Sequence, residues 1–244
     1  MIKKIFFLIL TAAIFQSCDD KLYYSGKERI LMQGRIVDQN NSPVQGIPVN
    51  IFVEKDDNDP LFLIGRSLED EDIISYTTTD ANGYYKMLMP RPLNQDNISL
   101  IINKPTSEQG QNTDYSNTVV TYISLRDADD YAINFSEQKL YRLQDNITIT
   151  ITVNNVPSNF NGKLLTDISG LINNKITTIQ QPYYNQFYLY DTTYQNNFTT
   201  IKYTLNVAKN QTISFKYQRN VSTGATTEHL INVGNEPANY NVNY

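Results

Sequence analysis

Four aliphatic residues at every second position, Ile147, Ile149, Ile151 and Val153, have threonine at each position between them. Successive side chains of a strand point to opposite faces, so this run makes one hydrocarbon face and one hydroxyl face. A helix would scatter the same residues around its axis. A slip of one residue would turn all four aliphatics into water, so the register is specified together with the element. The alternation returns in Ile201, Tyr203, Leu205 and Val207, and again in Ile213, Phe215 and Tyr217. Tyr240, Val242 and Tyr244 alternate with Asn241 and Asn243 and predict a last strand. Between these runs, Leu164, Ile168, Leu171 and Ile172 have helical spacing, but Gly170 interrupts it. That stretch, 163–173, reads as strand then turn, with a one-turn helix as the alternative. No segment reads as a long amphipathic helix. With 40% hydrophobic and 11% aromatic residues in 244, the chain has enough apolar surface for sandwich cores. The expected class is all-β, with two tandem β-sandwich domains, the second covering 141–244.

The first half has the same period with stronger turn signals. A strand from Ile30 to Val37 ends at Asp38-Gln39-Asn40-Asn41-Ser42-Pro43. Ile47, Val49, Ile51 and Val53 then alternate with Pro48, Asn50, Phe52 and Glu54, which predicts a strand buried on one face. Thr79-Asp80-Ala81-Asn82-Gly83 leads into Tyr84 and Tyr85 and predicts a hairpin, since Asn and Gly tolerate positive φ. Further strands are expected at Val119–Leu125 and Ala132–Phe135. Taken in order, Gly34-Arg35-Ile36-Val37-Asp38, Pro43-Val44-Gln45-Gly46-Ile47-Pro48-Val49 and Thr79-Asp80-Ala81-Asn82-Gly83-Tyr84-Tyr85 resemble the carboxypeptidase regulatory-like domain. The resemblance implies a transthyretin-like seven-stranded sandwich over about 29–140, without catalytic residues of its own. Two departures lengthen its loops: an acidic insertion at 56–72 and a polar stretch at 105–117.

The first residues carry an address. Lys3 and Lys4 precede an apolar run from Ile5 to Phe15 broken only by Thr11. Eleven residues fall short of the roughly 20 that a membrane-spanning helix needs, and they fit the core of a signal peptide. Ser17 then stands directly before Cys18, the only cysteine. Gln16-Ser17-Cys18 resembles the lipobox of bacterial lipoproteins, in the looser form that ends in Ser-Cys in Bacteroidetes. The resemblance implies a cleaved leader at 1–17, acylation of Cys18 and a tether at 18–28. It also implies a membrane partner through that lipid and an outer-membrane location. Asp19, Asp20 and Lys21 resemble the signals that carry such lipoproteins to the outer leaflet, hence a cell-surface location.

Chemistry is sparse. One histidine, one cysteine and no tryptophan exclude an intrachain disulfide and a Cys/His zinc cluster. A formal charge of −5 opposes phosphate backbones, so no nucleic-acid partner is expected. The 29 asparagines suit turns and hydrated strand faces. His229, in the expected strand Thr226–Val233, has no nucleophile-elbow motif beside it, and the structural reading is a strand-face histidine. No catalytic residue and no cofactor is expected. Carboxylates cluster at Asp56, Asp57, Asp59, Glu69, Asp70, Glu71 and Asp72, and at Asp127, Asp129 and Asp130. Asp70, Glu71, Asp72, Asp127, Asp129 and Asp130 are candidate calcium ligands, although EF-hand spacing is lacking and charge runs are commonly just solvated. Tyr183, Tyr184, Phe187, Tyr188, Tyr190 and Tyr194 are candidate contacts for a glycan or protein, or else sheet residues. Asp191-Thr192-Thr193 resembles the short O-glycosylation motif of Bacteroidetes secreted proteins, at Thr192. The function expected is non-enzymatic: a surface scaffold or binding module for a protein or glycan. The alternatives are a fimbria-like structural or anchor subunit, which tandem sandwiches behind a lipobox resemble, and a hydrolase.

Overall fold

The computed structural model describes residues 23–53, 73–93, 97–106, 109–154, 164–178, 184–187, 200–219 and 226–243. They form sixteen strands and two single 3-10 turns, at Leu125–Asp127 and Leu143–Asp145. The class is all-β, as the alternation requires.

The first eight strands are β1 (Tyr24–Val37), β2 (Pro48–Val53), β3 (Ile73–Thr78), β4 (Tyr84–Pro92), β5 (Asn97–Ile102), β6 (Thr118–Ser124), β7 (Ala132–Asn134) and β8 (Gln138–Lys139). The others are β9 (Asn146–Asn154), β10 (Leu164–Ser169), β11 (Lys175–Thr178), β12 (Tyr184–Phe187), β13 (Thr200–Ala208), β14 (Gln211–Arg219), β15 (Thr226–Val233) and β16 (Ala238–Asn243). The described part of segment 163–173, residues 164–173, takes the strand-then-turn course, with Gly170 and the following Asn174 at positive φ.

One core lies between the sheet β4-β1-β7, which β8 extends along β1, and the sheet β11-β6-β5-β2-β3. Ile30, Met32 and Ile36 of β1 and Met87 and Met89 of β4 meet Val49, Ile51, Leu100, Ile102 and Val120 there. A second core holds the side chains that the alternation selected. Ile149 stands opposite Leu205, Ile151 opposite Tyr203 and Val153 opposite Ile201, all buried. Ile213, Phe215 and Tyr217 of the sheet β12-β10-β14-β15 belong to the same core. Each such side chain contributes about 1.5–3 kcal/mol when fully buried. Thr148, Thr150 and Thr152 take the outer face.

Two expectations need correction. Residues 79–83 turn the chain but make no hairpin, because β3 and β4 belong to different sheets. The segment is a corner between layers. The Asp80 carboxylate accepts the amides of Asn82 (2.8 Å) and Tyr84 (2.9 Å), which closes the turn without committing the next strand to the same sheet. Second, β2 is buried on both faces rather than one. Phe52, Ile101 and Val119 make a small apolar cluster on the face away from the main core, and Asn50 is fully buried beside it. The polar stretch 105–117 is a loop, as expected, and its described residues are held at several points. The Asn103 side chain donates to the carbonyls of Asn112, Tyr115 and Ser116 at 2.8–3.0 Å and accepts the Asn112 amide.

Sheet membership does not follow chain order. The chain passes from the first core to the second near residue 141, yet β11 returns to the first core, at the edge of the sheet β6-β5-β2-β3. It pairs in parallel with β6, Lys175 opposite Thr118 and Thr178 opposite Thr121.

Candidate functional site at the seam between the two cores

Polar contacts tie the two cores together where they meet. Tyr141 is fully buried. Its hydroxyl donates to Asn146 Oδ1 at 2.7 Å and lies 3.3 Å from the carbonyl of Asn206, so it reaches both β9 and β13. Its backbone is tied to the first half: its amide donates to Ser116 Oγ (3.0 Å) and its carbonyl accepts the Ser116 amide (2.8 Å). Burial pushes the phenol well above its ordinary pKa, so it stays protonated and donating.

A second tie starts in the turn after β1. Asp38 accepts the amides of Asn40 and Ser42, which holds that turn and leaves Gln39 facing the second half. Gln39 donates to Asp145 at 2.6 Å and accepts the Arg142 amide at 3.0 Å. Asp145 in turn accepts the Lys209 amide at 2.9 Å through its carbonyl. The third tie is β11 and the turn before it. Asn173 donates its amide to Asn206 and accepts the Asn117 amide. Thr118 and Thr121 donate their hydroxyls to the carbonyls of Lys175 and Thr177. Lys175 is 6% exposed, and burial pushes its amine down to about 7. These three ties make a hydrogen-bonded seam between the two cores.

The residues singled out in the sequence lie elsewhere. Cys18, Asp70, Glu71, Asp72 and Thr192 lie outside the described residues, as does the whole insertion 56–72. Asp129 and Asp130 are exposed and belong to a tight turn, closed between Asp129 and Ala132, whose central residues Asp130 and Tyr131 both have positive φ. The backbone of Asp127 lies in the 3-10 turn. Among the described residues no group of three or more His, Cys, Asp or Glu is placed to hold a metal ion. His229 is on the inner face of β15. It stacks on Tyr217 at 5.8 Å, and its Nε2 is buried without a hydrogen-bond partner. Ser214 and Glu228, which hydrogen-bond each other, lie on the opposite face. Strand alternation thus separates the imidazole from the nearest hydroxyl–carboxylate pair. Of the tyrosine-rich stretch, β12 pairs with the edge of β10, and the remainder lies outside the described residues.

Sequence reasoning missed Asn103, Tyr141 and Lys175. Asn103 had one local signal, since asparagine is the commonest non-glycine residue at positive φ, and its φ is 58°. Tyr141 and Lys175 owe their roles to contacts made across the seam and had none.

Against known proteins, neither a protein family nor a curated protein matches the sequence. Solved structures with a similar trace include the Bacillus anthracis TIE protein, at 8% identity and a TM-score of 0.29 over 89% of this chain and 34% of that one. The chain therefore spans about a third of that protein. The shaft pilin SpaA from Lactobacillus rhamnosus GG matches at 12% identity and a TM-score of 0.32, over 88% of this chain and 98% of that one. The tip fimbrial protein Mfa3 from Porphyromonas gingivalis matches at 10% identity and a TM-score of 0.28, over 84% and 81%. At these identities and scores the likeness is one of β-rich build alone.

Proposed function

We propose that the chain is a non-enzymatic lipoprotein, anchored in the outer membrane through acylated Cys18, that holds its second sandwich away from the cell surface for a protein or glycan partner. The observation that carries this reading is the course of β1. This 14-residue strand begins six residues after Cys18 and ends at the seam. Its last residues pair with β8, and the turn after it binds Arg142 and Asp145. Tyr24 to Arg29 bulge opposite only Pro92 to Pro90, so at about 3.4 Å per regular step the strand spans roughly 34 Å. One continuous strand thus links the anchor to the base of the second sandwich, and β9 leads onward from that base. The seam keeps the second sandwich oriented on this strut. The inward-facing, stacked His229 supports a role without catalysis.

The test uses intact cells that express the chain with an epitope tag after Tyr244. The tag is expected to be accessible to antibody, and the protein to enter the detergent phase. Cys18→Ala is expected to abolish that partitioning. A tag reached only after cell lysis would refute surface display. Unchanged partitioning of Cys18→Ala would refute the anchor.

A fimbria-like structural subunit is the second reading, and β16 favours it. It lies at the edge of the sheet β13-β9-β16 and has one buried side chain, Val242, with Tyr240 packed partly against the same core. Such a strand can leave its own sheet at small cost and add to another copy. Removal of 238–244 followed by rescue with the separate peptide would support it.

A further inference from the structure

The end of the first sandwich next to the anchor displays two large apolar side chains side by side. Tyr23 is 60% exposed and Leu93 is 65% exposed. They are neighbours because the Leu93 amide donates to the Tyr23 carbonyl at 2.8 Å, just beyond the pairing of Tyr24 with Pro92. Exposed leucine beside tyrosine is an unfavourable surface in water but suits the bilayer interface, where the hydrocarbon is buried and the phenol stays wet.

We infer that Tyr23 and Leu93 form a membrane-contact patch that rests on the lipid surface and sets the orientation of the first sandwich on it. The inference rests on the acylation of Cys18 proposed above. The occupant follows from chain length. Five residue steps separate Cys18 from Tyr23, and a chain reaches at most about 3.3–3.6 Å per residue. An acylated Cys18 therefore holds the patch within roughly 18 Å of the lipid surface. A tether that short gives a high effective concentration, so a weak partition suffices.

Electrostatics contribute little to this contact. Arg91 is paired with Glu28 at 2.9 Å. Lys27 and Arg29 are exposed at the same end, but the acidic insertion 56–72 also springs from there, between Val53, which pairs with Ile98, and Ile73. Signs are mixed, so burial of Leu93 and the Tyr23 ring drives the contact.

The chain has no tryptophan, so one substitution supplies a unique reporter. Acylated Tyr23→Trp protein is reconstituted into zwitterionic phosphatidylcholine vesicles whose acyl chains are brominated close to the glycerol. The expected result is a blue-shifted emission, quenched at least about twofold and unchanged between roughly 0.05 and 0.5 M salt, a range over which surface charge effects are strongly screened. Leu93→Ser in that background is expected to reduce the quenching. Leu230→Trp, an exposed position in the second sandwich, is expected to show none. If Tyr23→Trp is not quenched in protein that enters the detergent phase, the patch is overturned and the anchor stands. If the protein does not enter that phase, both fall. A blue shift that persists in unbrominated micelles only at high protein density assigns the patch to a second copy and overturns the lipid contact.

Discussion

Gly83 and Gly46 both have positive φ, at 77° and 74°, and differ in what surrounds them. A Cβ at Gly46 would meet nothing within 4 Å, whereas at Gly83 it would lie 2.3 Å from the carbonyl oxygen of Ile36. That oxygen accepts the Val44 amide, and the Ile36 amide donates to Gly83 itself at 2.8 Å. The corner is thus built on close approach of two backbones, and a methyl group must separate them. Gly46→Ala is expected to cost about 1–2 kcal/mol, the left-handed penalty alone. Gly83→Ala has the same penalty plus one or two strained or broken backbone hydrogen bonds, each worth about 1 kcal/mol. Its expected cost is about 2–4 kcal/mol, above that of Gly46→Ala. The assay is urea unfolding of the chain, with the slope of free energy against denaturant compared to confirm that only the midpoint moves. Equal losses for the two substitutions would refute the close-packed corner.

The seam and the buried amine give two further tests. Tyr141→Phe removes the hydroxyl that reaches Asn146 and Asn206 and is expected to cost about 1–3 kcal/mol. Hydrogen exchange should show the loss at amides of the seam, and unchanged protection there would mean that the hydroxyl does not couple the cores. Lys175, held down to about 7 in the folded chain, is protonated in the unfolded chain up to its ordinary pKa above 10. From about pH 7 to 9.5 the unfolded state binds the extra proton, so stability should rise with pH over that window. Lys175→Met is expected to flatten the rise and to raise stability at neutral pH. An identical pH profile in the variant would place the amine in water.

Strands β9, β13 and β14 were legible because each carries a period that only one face can satisfy. The turn at Asp38 was legible for a local reason, since its carboxylate caps the backbone that it precedes. The corner at 79–83 was half legible. Asp80, Asn82 and Gly83 state that the chain reverses, but they carry no information on which sheet receives β4. Pro48, Asn50 and Phe52 misled because alternation with polar or large residues usually means one wet face, and here both faces of β2 are covered. The short strand β11 had no readable pattern. Its four residues, Lys-Ile-Thr-Thr, are set in place by parallel pairing to a strand that ends 51 residues earlier in the sequence. The candidate sites drawn from charge and aromatic runs fell mostly outside the described residues. The seam was invisible because its members are single residues from five separate segments.

The position of β11 changes what the two cores are to each other. A sandwich ending at residue 140 would leave β6 as an edge strand, with the backbone groups on its side away from β5 unpaired and two buried threonine hydroxyls without the carbonyls of Lys175 and Thr177. A bare edge of that kind invites pairing with other chains. The second half supplies the missing strand, while Gln39, from the first half, binds the segment that starts the second. Each core thus depends on residues from the other, and the exchange runs in both directions across one seam. Two beads on a flexible linker would need no such exchange, since each would close its own sheets. The exchange is useful to a chain that must keep its far end at a set direction from its anchored end, which is the demand that a surface scaffold makes.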